Sequence, residues 1–174
     1  MLFETLTDEE EKELHRLSRV YWREALLCEK TGAYLAGCTM LGSCLENILI
    51  LMINAHSEDV ESTGKVPHLK SKPKALLNWT FAELLRVAKS AGWLPSAPDL
   101  KDGWSGRKAK IGDYAEVVRM VRNLVHPARY LKDFCRKELT KKYLQQQFDV
   151  VSLCCEWLAE RNSKSLLKHY EGVS

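Results

Sequence analysis

Residues 33–56 restrict the fold more than any other stretch. Leu35, Cys38, Thr39, Leu41, Leu45, Ile48, Leu49 and Met52 put apolar cover on nearly every side of a helix drawn through them. Such a helix has no face to offer water and must be central. Ala36, Gly37, Gly42 and Ser43 interrupt it with small side chains. Each glycine costs about 1 kcal/mol of helix propensity, so tight packing against a neighbouring helix, within or between chains, is the expected return. The greasiest part, 48–53, falls far short of the roughly 20 residues that span a bilayer, and Glu46, Asn47 and Asn54 bound it with polar groups. A core helix without a membrane role is the expectation.

Other helices can be placed by their caps. Thr7 and Glu10 have capping-box spacing, which predicts a first helix over residues 8–29 with Leu14, Leu17, Tyr21, Ala25 and Cys28 as its apolar stripe. Thr80 and Glu83 repeat the pattern and open a third helix through about residue 91, ended by Gly92. Asp113 is read as the cap of a fourth helix that Pro127 stops, because a residue before proline disfavours helical geometry. A fifth helix covers 140–161, with a short trailing segment at 165–170. Residues 57–73, which hold Gly64, Pro67 and Pro73, read as a long exposed connection, and 96–110 as a second loop. No stretch keeps a two-residue period long enough for a real strand. The expected fold is all-α: one domain, residues 1–174, forming an up-and-down helical bundle of four to five helices with two long loops.

With 26 basic against 23 acidic side chains, the net charge of +3 is too small for a generic polyanion binder, so any nucleic-acid contact has to be local. Trp104, Arg107, Lys108 and Lys110 in the second loop suit either a basic surface with one stacking ring or a solvated loop with the indole tucked onto the core. The six cysteines (Cys28, Cys38, Cys44, Cys135, Cys154 and Cys155) lie mostly in apolar helical runs without a Cys-x-x-Cys pair. Free thiols in a reducing cytoplasm are expected. The start, Met1-Leu2-Phe3-Glu4, lacks an export signal's basic and apolar regions. His15, His56, His68, His126 and His169 are scattered, so neither a metal nor another cofactor is expected. Cys154 and Cys155 point about 100° apart on a helix, which suits core thiols better than a nucleophile.

Two features bear on chemistry. Glu46 lies in the most apolar helix, where a carboxylate must be paired, protonated or turned to a polar seam. An arginine of the fourth helix is a natural partner; alternatively, Glu46 and Asn47 mark the one wet edge of that helix. The second feature is Arg119-Met120-Val121-Arg122-Asn123-Leu124-Val125-His126-Pro127. At steps of three and four, Arg119, Arg122 and His126 share one helical edge, while Met120, Val121, Leu124 and Val125 turn largely toward packing surfaces. Cations in a last turn favourably meet the negative helix end, and that structural account is complete by itself. A functional account uses the same groups: an imidazole titrates near neutrality, and a guanidinium offers a forked donor to a phosphate.

Three stretches of the chain resemble the HEPN family (higher eukaryotes and prokaryotes nucleotide-binding helical bundles), most closely its bacterial branches. Gly32-Ala33-Tyr34-Leu35-Ala36 through Met40-Leu41-Gly42-Ser43-Cys44-Leu45-Glu46 is similar to the family's second helix, and Phe81-Ala82-Glu83-Leu84-Leu85 through Ala91-Gly92-Trp93-Leu94 to its middle helix. The run from Val118 to Pro127 resembles its signature. The resemblance implies a homodimeric bundle acting as a metal-independent endoribonuclease of a toxin or defence system. It also implies proton transfer by His126, charge stabilisation by an arginine and orientation by Asn123, with Glu46 as a possible support. Arg119 and Arg122 both remain candidates for the signature arginine. The other implied role is a non-catalytic module for dimerisation, or for docking a partner such as an antitoxin-like nucleotidyltransferase.

Overall fold

The most apolar segment becomes α2 (Tyr34–Ala55), and α1 (Asp8–Thr31), α4 (Phe81–Ser90), α5 (Ile111–Arg122) and α7 (Lys141–Glu171) all pack against it. This is a computed structural model that describes residues 3–96, 109–133 and 139–171. Trp104, Arg107, Lys108 and Cys135 lie outside the described residues, as does the side chain of His169. Two short helices, α3 (Ser57–Ser62) and α6 (Pro127–Asp133), complete an all-α bundle. Leu41, Leu45, Leu49 and Ile53 of α2 are fully buried and form the centre of the core, with Leu84 and Leu85 from α4, Ala115 from α5, and Leu144 and Val151 from α7. Measured along its whole length, α2 is long and apolar enough to cross a bilayer, contrary to the expectation from residues 48–53 alone. More than half of its apolar window is nevertheless buried within the bundle.

Both capping boxes form. The Thr7 and Thr80 hydroxyls accept from the backbone N–H groups of Glu10 and Glu83, and those carboxylates accept in return from the Thr7 and Thr80 N–H groups at 2.8 and 2.7 Å. The small residues of α2 serve contacts inside this chain. A Cβ on Gly37 would stand 2.8 Å from a methyl of Leu144 in α7, and one on Gly42 would stand 2.4 Å from the Arg122 Cβ in α5. Gly42 thus sets how closely α5 lies on α2.

Several expected boundaries move. Residues 57–73 are more than an exposed connection: α3 buries Val60, and His68–Leu69 pairs antiparallel with Lys72–Pro73 in a two-stranded hairpin. Its turn holds Lys70 and Ser71 at φ 48° and 65°, a conformation usually given to Asn or Gly. Asp113 does not cap α5, which begins two residues earlier. Asp113 is instead buried in the first turn, where its carboxylate accepts from the Lys110 N–H at 2.9 Å and the Ser96 hydroxyl at 2.5 Å. The last helix runs unbroken through the expected gap after Arg161.

Candidate functional site at the break between α5 and α6

Pro127 both stops one helix and starts another. After Arg122 the chain tightens into a 3₁₀ turn over Asn123–Val125, and the His126 N–H donates to the Asn123 carbonyl at 3.1 Å. His126 itself is extended, at φ −84° and ψ 117°, as the residue before a proline prefers. Pro127 then opens α6, where its missing N–H costs nothing. The N–H groups of Arg129 and Tyr130 donate to the His126 carbonyl at 2.9 and 3.0 Å. A single continuous edge of Arg119, Arg122 and His126 therefore does not form: the 3.6-residue repeat ends before the imidazole. The expected packing of the apolar residues also holds only in part. Val121 and Leu124 are buried, whereas Met120 and Val125 are 52% and 53% exposed.

The two arginines bind different carboxylates. Arg122 lays its stem over Gly42, and its Nη2 donates to Glu46 Oε2 at 2.6 Å, one turn further along α2. Its Nη1 donates to Asn123 Oδ1 at 3.3 Å. Glu46 is thus paired, and it shares no wet edge with Asn47. Asn47, about 100° further around the helix, is buried and donates to the Leu14 carbonyl and the Ser18 hydroxyl of α1. Burial raises the Glu46 carboxyl above its ordinary value, against the opposing pull of Arg122. Arg119 points elsewhere: its Nε donates to Glu116 Oε2 at 2.7 Å, and Lys89 of α4 donates to the other oxygen at 2.8 Å. Burial also pushes Glu116 upward, but its two cations outweigh that and hold it below the usual carboxylate range. The structure gathers Arg122, Asn123 and Glu46 and carries Arg119 toward α4.

The His126 ring is exposed and has no hydrogen-bond partner among the described residues. Beside it opens an apolar groove of about 730 Å³, lined by Tyr34, Leu35, Thr39 and Met40 of α2 together with Val125 and Tyr130. Leu35 and Thr39 are expected from the sequence as cover of a core helix and Val125 as a packing residue, whereas the structure places them in this groove; Tyr130 falls one helical turn after His126. Four of the described cysteines are held as thiols: burial pushes Cys38, Cys44 and Cys154 up to about 12 and Cys155 up to about 11. Cys28, Cys38, Cys44, Cys154 and Cys155 are all free thiols. Comparison with protein-family models, curated proteins and solved structures finds no match to this chain.

Proposed function

We propose that this chain is a HEPN-like helical protein that cleaves RNA at the break between α5 and α6. One observation carries the reading: the His126 imidazole stands exposed on extended backbone, close in the chain to an Arg122 guanidinium that Glu46 fixes in place yet leaves 30% accessible. In this reading the RNA 2′-oxygen bonds to phosphorus while the bond to the 5′-oxygen breaks. His126 moves the proton from the first oxygen to the second, leaving a 2′,3′-cyclic phosphate. Arg122 stabilises charge on the phosphate during transfer, and Asn123 orients the guanidinium. Independence from metal, assembly as a homodimer, a cytoplasmic toxin or defence setting and an antitoxin-like partner all follow from the family resemblance. Purified protein incubated with varied RNAs and a chelator is expected to yield cyclic-phosphate ends that a His126→Ala variant does not. No cuts beyond that variant's background would overturn the reading.

A second reading has its own support. Both arginines already hold carboxylates, Arg119 with Glu116 and Arg122 with Glu46, as they would in a non-catalytic module whose cations serve packing. In that case dimerisation or partner docking depends on this edge, and Arg122→Ala and His126→Ala should weaken assembly in sedimentation. Unchanged assembly counts against it.

A further inference from the structure

A second opening in the bundle lies away from the break at His126 and shares no lining residue with the groove beside it. α1 and α7 both pack on α2 and scarcely on each other. One end of the seam between them is clasped: the Trp22 and Phe148 rings meet edge to face at 5.2 Å, and Gln145 Nε2 donates to Glu29 Oε1 at 2.9 Å. Further along, the seam opens into a cavity of about 430 Å³, within the roughly 300–1,000 Å³ typical of small-molecule pockets. Ile48, Leu51 and Met52 of α2 form its floor, and Leu158 and Ala159 of α7 one wall. From Ile48 to Ala55 the floor runs about 10 Å at the rise of an α-helix.

The opposite wall, on α1, is polar, and most of the polar groups around the cavity are already engaged. The Ser18 hydroxyl donates to the Leu14 carbonyl at 3.1 Å and accepts from Asn47 at 2.7 Å. Glu11 accepts from Asn54 at 3.0 Å, with the His15 ring 3.8 Å from its other oxygen. Across the seam, Asn162 is bonded to His56 at 3.0 Å. Arg19 differs: its exposed guanidinium has no hydrogen bond or ion pair among the described residues, although it lines the same cavity. A guanidinium presents a forked pair of donors that a carboxylate matches. Glu11, the one carboxylate of the lining, stands about 12 Å away along the α1 axis and does not oppose an anion at Arg19. No phenyl, phenol or indole ring lines the cavity, so a flat aromatic ligand has nothing to stack on, whereas a methylene chain meets aliphatic side chains on two sides.

We propose that the seam between α1 and α7 binds a free medium-chain aliphatic carboxylate, its head on Arg19 and its chain laid along Ile48, Leu51 and Met52 against Leu158. The site is separate from the α5–α6 break, so it stands or falls independently of the cleavage reading. The unpartnered cation sets which end of the ligand lies where, and the length of the floor sets how much chain it covers.

Binding is measured by isothermal titration calorimetry with hexanoate, octanoate and octylamine. Octanoate is expected to bind more tightly than hexanoate, by about 4-fold for each added CH₂ that reaches the floor. Octylamine, which has no acceptor for the guanidinium, should bind about 10-fold more weakly than octanoate, and Arg19→Ala should weaken octanoate by a similar factor. Arg23→Ala, one turn further along α1 and outside the lining, should leave the affinity unchanged. Ala159→Trp fills the seam from an exposed position and should abolish binding. Equal affinity for octanoate and octylamine, or for octanoate in the parent and Arg19→Ala proteins, would overturn the proposal. So would equal affinity for the two chain lengths, or no binding of either. Vesicles of phosphatidylcholine and phosphatidylglycerol separate a free ligand from a membrane lipid: no capture of the protein is expected, and capture that Ala159→Trp abolishes would overturn the assignment to a free carboxylate.

Discussion

Arg119 and Arg122 stand three residues apart on one helix and bind carboxylates at similar distances, 2.7 and 2.6 Å, yet those carboxylates shift in opposite directions. Glu116 lies on α5 itself and receives a second cation, Lys89, so its charge is doubly compensated and burial loses. Glu46 reaches α5 from the core helix and receives Arg122, and there burial wins. A second cation and shallower burial together lower Glu116, while Glu46, more deeply buried beside a single cation, is raised. Position separates the two arginines as well: Arg122 also donates to Asn123 and stands three residues nearer His126 in the chain, whereas Arg119 turns toward the Glu116–Lys89 pair. This supports Arg122 over Arg119 as the arginine of the proposed chemistry.

The contrast can be broken at its base by Gly42→Val. The added side chain meets the Arg122 stem and should push α5 away from α2, costing about 3 kcal/mol in chemical denaturation. Arg122→Ala comes next at about 2 kcal/mol, because it strands Glu46, which is only 19% exposed. Adding Glu46→Gln should recover part of that loss. Arg119→Ala leaves Glu116 with Lys89 and should cost about 0.5 kcal/mol; equal losses for the two arginines would erase the distinction.

The smallest effects are in the pH dependence of unfolding, and their signs oppose. With its folded value lowered, Glu116 contributes stability above the ordinary 4.5 that is lost as pH falls through the folded value. With its folded value raised, Glu46 contributes stability below 4.5 that is lost as pH rises through the folded value. Glu116→Gln should therefore flatten the acid limb of a stability profile, and Glu46→Gln the fall on the rising side.

Features written into neighbouring residues were legible in the sequence. The capping boxes at Thr7 and Thr80 and the central position of α2 follow from spacing and local composition, whereas for Glu46 the sequence left a partner and a wet edge both open, and the structure supplies the partner. The hairpin was hidden because its turn uses Lys70 and Ser71 where a signal would be Asn-Gly. Asp113 was misplaced because a carboxylate can cap from inside the first turn when Ser96, from a preceding segment, helps to hold it. The site was half legible. Helical spacing alone put Arg119, Arg122 and His126 in line, but the carboxylate each arginine meets belongs to the tertiary arrangement, and the 3₁₀ turn after Arg122 cancels the register that spacing assumed. The groove joins residues near 34 with residues near 130, a distance along the chain that no local pattern spans.

The place of α2 at the centre has a consequence for how the protein is made. On the ribosome α1 emerges just ahead of α2 and can cover only one of its sides; α5 follows much later, and α7 after that. Throughout that interval the growing chain displays the sides that those two late helices will enclose, a sticky surface that invites chaperones or premature association. Completion of the core waits on the arrival of Leu144 and Val151. A ribosomal pause before α7 would thus lengthen the most hazardous stage of biogenesis.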